Sequence, residues 1–436
     1  MAMNLGELRR IYARFDVAHV PLPEEYIDFD DTRGEPVLDR LRDVFTFADS
    51  SRPVTRLFSG GRGCGKTTEL LRLREQLESQ GFVVVYVDVA ESVDINNCDF
   101  IDYVVASISG IHAGLSQLNV PGFSTQQTYL QSKLKEIRDV LSVQLQIPEA
   151  ELDLFGQSLK MTFRRPVSQS QRVSEAIERV TSDIFSAVQG YVAEAVRQVL
   201  ALDKAGLVIL VDGADKIIPR LVEGSVDQHQ RIFADRAVQL CSLGAHVIYC
   251  APLSFCYSSG GRSFSLTAGG DPFVLPVVSL RDSKHSDPSP ECKGARAMRQ
   301  LVEARLHRAG YQVTDFIDED ALLRLIFASG GSPTTLIRLV RGCTMRVTRL
   351  EPARIALPQA EAEISSEKNS MKRGIPGDYF PVLRSFAKPR AETTDVDPDV
   401  FLPCLFYQYI YEYMNGESWY EVNPIIRELT TFNSGT

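Results

Sequence analysis

The chain has 436 residues, 44% hydrophobic and 24% charged. At roughly 150 residues per domain it holds two to four units and can bury a core without metal or disulfides, which excludes a disordered chain, a coiled coil and a mini-protein. Its 47 basic and 56 acidic residues give a net charge of −9, which argues against a chain-wide polyanion-binding surface and leaves only a local basic patch open.

The N-terminus, MAMNLGELRRIYARFD, is charged within ten residues and has no apolar signal-peptide core. Five short apolar runs read as strands buried on both faces: Val54–Ser59, Phe82–Val89, Leu207–Val211, Ala245–Ala251 and Phe273–Leu280. A helical pattern, Thr67–Gln80, follows the first and closes at Gly81. Strands alternating with helices predict a parallel α/β sheet. The long gap between the second and third strands holds two amphipathic helices, Gln126–Leu145 and Ser170–Leu202, with a short ribbon, SLKMTFRRP, between them. They read as a helical insertion, about 113–202. Residues 103–132 carry no charge, but their Ser, Gln, Gly, Asn and Pro121 fail the test for a membrane span. After a polar loop at 281–296, helices are expected at 295–309 and 319–328. The turn SGGSP (329–333) then leads into a helix from Thr334 to about Leu350. The tail predicts a helix, Val400–Met414, and a hairpin, NGESWYEVNP, turning at Asn415-Gly416. Eight cysteines, none in CxxC, and six histidines give no zinc spacing and fit a reducing cytoplasm.

The sharpest motif is Gly60-Gly61-Arg62-Gly63-Cys64-Gly65-Lys66-Thr67, followed by Thr68. It matches GxxxxGK(S/T) between a predicted strand and a predicted helix. Glycines let successive N–H groups curl round phosphate oxygens, and the helix adds its positive end. Lys66 is expected to reach the β- and γ-phosphates of ATP, and Thr67 to ligate Mg²⁺. Cys64, at a helix start, is expected to have a lowered pKa, so that alkylation there blocks binding. The second motif, Leu207–Val211 followed by Asp212-Gly213-Ala214-Asp215-Lys216, delivers a carboxylate to the C-terminal edge of the sheet. Asp212 is the Mg²⁺-side acid. Asp215 either polarises the attacking water or caps the next helix.

At these residues the chain resembles the additional-strand P-loop ATPases, the AAA+ and STAND superfamily, and within it bacterial STAND-like ATPases. The resemblance covers about residues 25–350. It implies an α/β P-loop NTPase fold with a five-stranded parallel sheet of order 5-1-4-3-2, a helical lid, and ATP used for conformational change. The sequence departs from the pattern in places. Gly213 stands where AAA+ chains carry Glu, Lys216 where related STAND chains often carry an acid, and Cys250 near a sensor position that wants Thr, Asn or Arg. Slow hydrolysis is therefore expected. In the resembling families the SGGSP turn, with Pro333, closes over the nucleotide, and Arg338 and Arg341 are the nearest substitutes for a lid arginine. Arg33 and Gly34 lie in the linker that runs against adenine in those families.

The predicted division is an N-terminal linker 1–50, a P-loop core 51–288, a helical lid 289–350 and a winged-helix-like domain 351–436. Arg338, Arg341, Arg346 and Arg349 form either a basic stripe or a mixed-charge surface. Trp419 reads as hairpin packing. The tail's aromatic density reads as either an interface or a small core. Three functions remain open. One is an ATP-driven switch or motor subunit, homo-oligomeric and cytoplasmic, that controls a protein partner in bacterial defence or signalling. The second is a DNA-engaged ATPase, a loader or transposition regulator. The third is a nucleotide-sensing module that binds ATP or ADP with negligible turnover. The acidic charge favours the first, and no effector chemistry is legible elsewhere in the chain.

Overall fold

The computed structural model describes residues 4–19, 21–49, 52–91, 103, 111, 113, 170–218, 221–222, 226–348 and 353–433. The expected helix Gln126–Leu145, the SLKMTFRRP ribbon and Arg349 lie outside the described residues. Five strands form one sheet: β1 (Thr55–Gly60), β2 (Phe82–Asp88), β3 (Gly206–Asp212), β6 (His246–Cys250) and β7 (Phe273–Leu275). Their order is β2-β3-β6-β1-β7. Counted along the sheet alone, that is the expected 5-1-4-3-2, and the fold is that of an α/β P-loop NTPase. Two short strands, β4 (Leu221–Val222) and β5 (Val226–Asp227), form a separate antiparallel ribbon.

The sheet forms where the apolar runs predict it. Every residue of β3 and of β6 is buried, and the pairs β2–β3, β3–β6 and β1–β6 are parallel. Helices must therefore cover such a sheet on both faces. The helix Lys66–Ser79 follows β1, and Ser170–Ala201 precedes β3. In the latter, Phe185, Val188, Val192, Ala195 and Val199 are buried at steps of three or four. β7 is shorter than the predicted Phe273–Leu280. Pro276 has no N–H to give a neighbouring strand. The later N–H groups turn elsewhere: Val277 donates to the Glu412 carbonyl at 2.9 Å and Ser279 to the Thr32 carbonyl at 3.2 Å.

Two compact units result. One comprises residues 1–37, 60–68 and 274–436, the other residues 38–59 and 69–273. The second contains the apolar core built on β2, β3 and β6. The first has its own core, in which Leu8 and Ile11 of helix Leu5–Arg14 cluster with the helices Lys293–Ala309, Glu319–Ser329, Pro333–Arg346 and Leu357–Gly374.

The tail corrects one expectation. Val400–Met414 is not one helix. The helix runs Pro398–Phe406, and Ile410–Asn415 is a strand, β8, paired antiparallel with β9 (Glu417–Val422). Pro403 lies inside the helix and weakens it. Gln408 then takes a left-handed conformation, φ +62°, and ends it. Gly416 makes the turn where Asn415-Gly416 predicted it. Trp419 is buried and stacks on Tyr413 at 4.3 Å between ring centroids. Phe401, Phe406, Tyr409, Tyr411, Tyr413 and Tyr420 are buried as well, and only Tyr407 of this set is exposed. The aromatic density of the tail is thus the small core rather than an exposed interface.

Candidate functional site: the phosphate loop and the carboxylate strand

The phosphate loop leaves β1 at Gly60 and enters a helix at Lys66. Three of its glycines, Gly60, Gly63 and Gly65, take positive φ. Gly63 has φ +75°, and a Cβ there would lie 2.7 Å from the Thr334 Cβ. The Lys66 side chain is buried and folds back, donating to the carbonyls of Gly60 at 2.9 Å and Gly61 at 3.0 Å. Three consecutive carbonyls of the loop are held from outside it. Gln408 donates to that of Arg62, the Thr334 N–H to that of Gly63 at 3.2 Å, and Arg33 to that of Cys64 at 2.5 Å. Thr67 and Thr68, in the first turn of the helix, are half-buried.

The structure relocates several predicted groups. Arg33 is buried, with its guanidinium against the Phe29 ring and bonded to the loop carbonyl, so its visible role is to hold the loop. Cys64 is wholly buried, which removes the expected ready alkylation: a reagent cannot reach the thiol in this conformation. Pro333 begins its helix behind Ser332, whose hydroxyl accepts from the Thr335 N–H at 3.3 Å. Arg338 pairs with Glu367 at 2.7 Å, and Arg346 pairs with Glu363 at 2.6 Å. Arg341 pairs with Asp16 at 2.9 Å and stacks on Tyr12. The described part of the supposed basic stripe is therefore a mixed-charge surface. Neither Arg338 nor Arg341 stands ready as a lid arginine.

Asp212 ends β3, almost wholly buried, with both carboxylate oxygens engaged. The Gly213 N–H donates to Oδ1 at 2.7 Å and the Tyr86 hydroxyl to Oδ2 at 2.8 Å. Burial, and then the Asp212 charge, push the Tyr86 pKa far up, so the phenol stays protonated as a donor. Asp215 is also buried. It sits inside the short turn Ala214–Lys216, whose cap is Gly213, so it is not the helix cap that the sequence left open. One oxygen each of Asp212 and Asp215 and the Cys250 sulfur lie within 4.8 Å of one another. The two carboxylates suit Mg²⁺, a hard cation that prefers oxygen, whereas the sulfur does not.

Glycine at 213, where the resembling AAA+ chains carry Glu, has a physical reason. Gly213 has φ +87°, and a Cβ there would lie 2.2 Å from Asp88 Oδ1. That carboxylate is fixed by the Ala90 N–H at 2.9 Å and by Lys216 at 3.0 Å. Burial alone would lower the Lys216 pKa. Its bond to Asp88 and the nearby acids outweigh burial and raise it, so Lys216 stays charged. Sequence reasoning missed Tyr86 and Asp88, although β2, like β3, is an apolar run that ends in Asp. Gln408 gave no signal in the sequence.

No family model matches the chain, and no curated protein matches it. Among solved structures it is similar to the Aeropyrum pernix ORC2 protein in ADPNP–ADP complexes, at 12% identity and TM-score 0.45, covering 98% of this chain and 97% of that one. It is similar to a Walker-type ATPase of Pyrococcus abyssi at 11% identity and TM-score 0.44, covering 96% and 99%. Drosophila ORC bound to DNA follows at 11% and 0.38, covering 97% and 91%.

Proposed function

We propose that the chain binds ATP with Mg²⁺ and hydrolyses it slowly, as an AAA+/STAND-type switch subunit that controls a protein partner. The observation that carries this reading is a phosphate loop whose carbonyls at Arg62, Gly63 and Cys64 are held from outside it, in a fold whose third strand ends at buried Asp212, with buried Asp215 in the turn after it. In this reading Lys66 exchanges the carbonyls of Gly60 and Gly61 for the β- and γ-phosphates. Thr67 and Asp212 hold Mg²⁺, which would neutralise charge on the phosphates. Asp215 accepts a proton from the attacking water. Turnover well below about 10 s⁻¹ is expected, because Gly213 offers no carboxylate.

Lys66→Ala should raise the Kd for ATP on the order of 100-fold, about 2.7 kcal/mol, as measured by calorimetry. Equal affinity in wild type and variant would sink the assignment. The partner is proposed to be a protein, with the chain homo-oligomeric, cytoplasmic and acting in defence or signalling. The pairing of Arg338, Arg341 and Arg346 with carboxylates supports a protein partner over DNA. Duplex binding that falls by orders of magnitude between low and moderate salt would instead establish the DNA-engaged reading.

A further inference from the structure

We propose that Gln408, in the C-terminal segment, is a positioning residue of the phosphate loop. The inference rests on the nucleotide-binding reading and extends the site to the tail. In a trans peptide the carbonyl of one residue and the N–H of the next point in opposite directions. A donor that holds the Arg62 carbonyl outward therefore turns the Gly63 N–H the other way, into the concave side of the loop, where phosphate oxygens bind. Gln408 supplies that donor. The neighbouring residue Phe406 lies under the Arg62 guanidinium, 5.2 Å from ring centroid to carbon. The segment 406–408 thus grips residue 62 by main chain and side chain together. The bond that Arg33 makes to the Cys64 carbonyl acts likewise on the Gly65 N–H.

Gln408 is itself held in place. It is one of two non-glycine residues with positive φ among those described, the other being Asp203. A side chain kept in that conformation marks a position that its surroundings over-determine. The surroundings here are Asn423, wholly buried, whose Nδ2 donates to the Gln408 carbonyl at 3.1 Å and to the Tyr411 hydroxyl at 3.1 Å. The Asn423 N–H also donates to the Tyr409 carbonyl at 2.9 Å. The hairpin therefore fixes Gln408, and Gln408 fixes the loop. By linkage, nucleotide that orders the loop must stabilise this contact in return.

Gln408→Gly separates positioning from plain stability. Glycine accepts φ +62° without strain, so thermal stability of the full chain should hold or rise while the donor is lost. The expected result is a 5- to 10-fold weaker Kd for ATP by calorimetry, together with a smaller ATP-induced rise in melting temperature than wild type shows. Gln408→Asn keeps an amide but is one methylene too short, so it should bind ATP as weakly as the glycine variant. Wild-type affinity in a folded Gln408→Gly or Gln408→Asn chain would overturn the proposal. A Lys66→Ala chain measured alongside separates the two failures. If Lys66→Ala weakens binding and the Gln408 variants do not, only the role of Gln408 falls. If Lys66→Ala has no effect either, the nucleotide reading itself falls.

Discussion

In the phosphate loop, consecutive carbonyls are held by Gln408, 346 positions from its partner, by Thr334, and by Arg33, 31 positions away. On the carboxylate strand, Asp212 is held by the N–H of the next residue and by Tyr86 on the strand paired with it. The first region takes its shape from distant segments of its unit, the second from neighbours in its own sheet. A loop rich in glycine has few internal restraints and borrows them from whatever packs against it. A strand-end carboxylate is already aimed by the parallel ladder.

The comparison breaks most sharply at Gly213, where close neighbours leave no space. Gly213→Glu would place there the acid that the resembling AAA+ chains carry, yet it should destabilise the chain by about 3 kcal/mol. Positive φ costs part of that, and the clash with Asp88 supplies the rest. Denaturant unfolding checks this, and unchanged stability would mean that the β2 end yields easily.

A smaller effect is expected from His246, on β6. It is buried, with Nδ1 accepting from the Val54 N–H at 3.2 Å and with the Phe45 and Phe82 rings edge-on to it. Burial lowers its pKa in the folded chain. The unfolded chain, with its histidine near the usual value of about 6.5, therefore takes up the proton first on acidification. The stability from this group is present above about pH 6.5 and is lost as pH falls below it, on the order of 1 kcal/mol per pH unit at most. His246→Gln should remove that part of the slope in unfolding curves taken from pH 7.5 to 5.5.

Tyr86→Phe tests the local support of Asp212 directly. Losing one hydrogen bond to a charged group, on the order of 1 kcal/mol, should raise several-fold the Mg²⁺ concentration needed for tight ATP binding. Affinity in the absence of Mg²⁺ should stay as it was. If the Mg²⁺ requirement does not move, the Gly213 N–H alone orients the carboxylate.

The smallest effect belongs to Arg338→Ala. Its pair with Glu367 is half-exposed, so stability should change by no more than about 0.5 kcal/mol, and ATP affinity should not change. A tenfold loss of ATP affinity would return Arg338 to the nucleotide site and mean that the helix Pro333–Arg346 supplies charge as well as backbone.

The sequence by itself determined the sheet and both motifs. Continuous apolar runs fold as strands buried on two faces. Gly60–Lys66 and Asp212 announce themselves by residue type at fixed spacing along one stretch of chain. It could also leave Trp419 to the hairpin core, because Asn415-Gly416 dictates the turn. It could not show that Cys64 is sealed, that Arg338 and Arg341 are paired with acids, or that Val400–Met414 divides at Gln408 into helix and strand. Those outcomes depend on which side chains arrive from remote segments, and no local pattern encodes that. Tertiary structure likewise decided why position 213 is glycine. The reason lies in the space between β3 and the end of β2, where the fixed Asp88 carboxylate already stands where a side chain at 213 would begin.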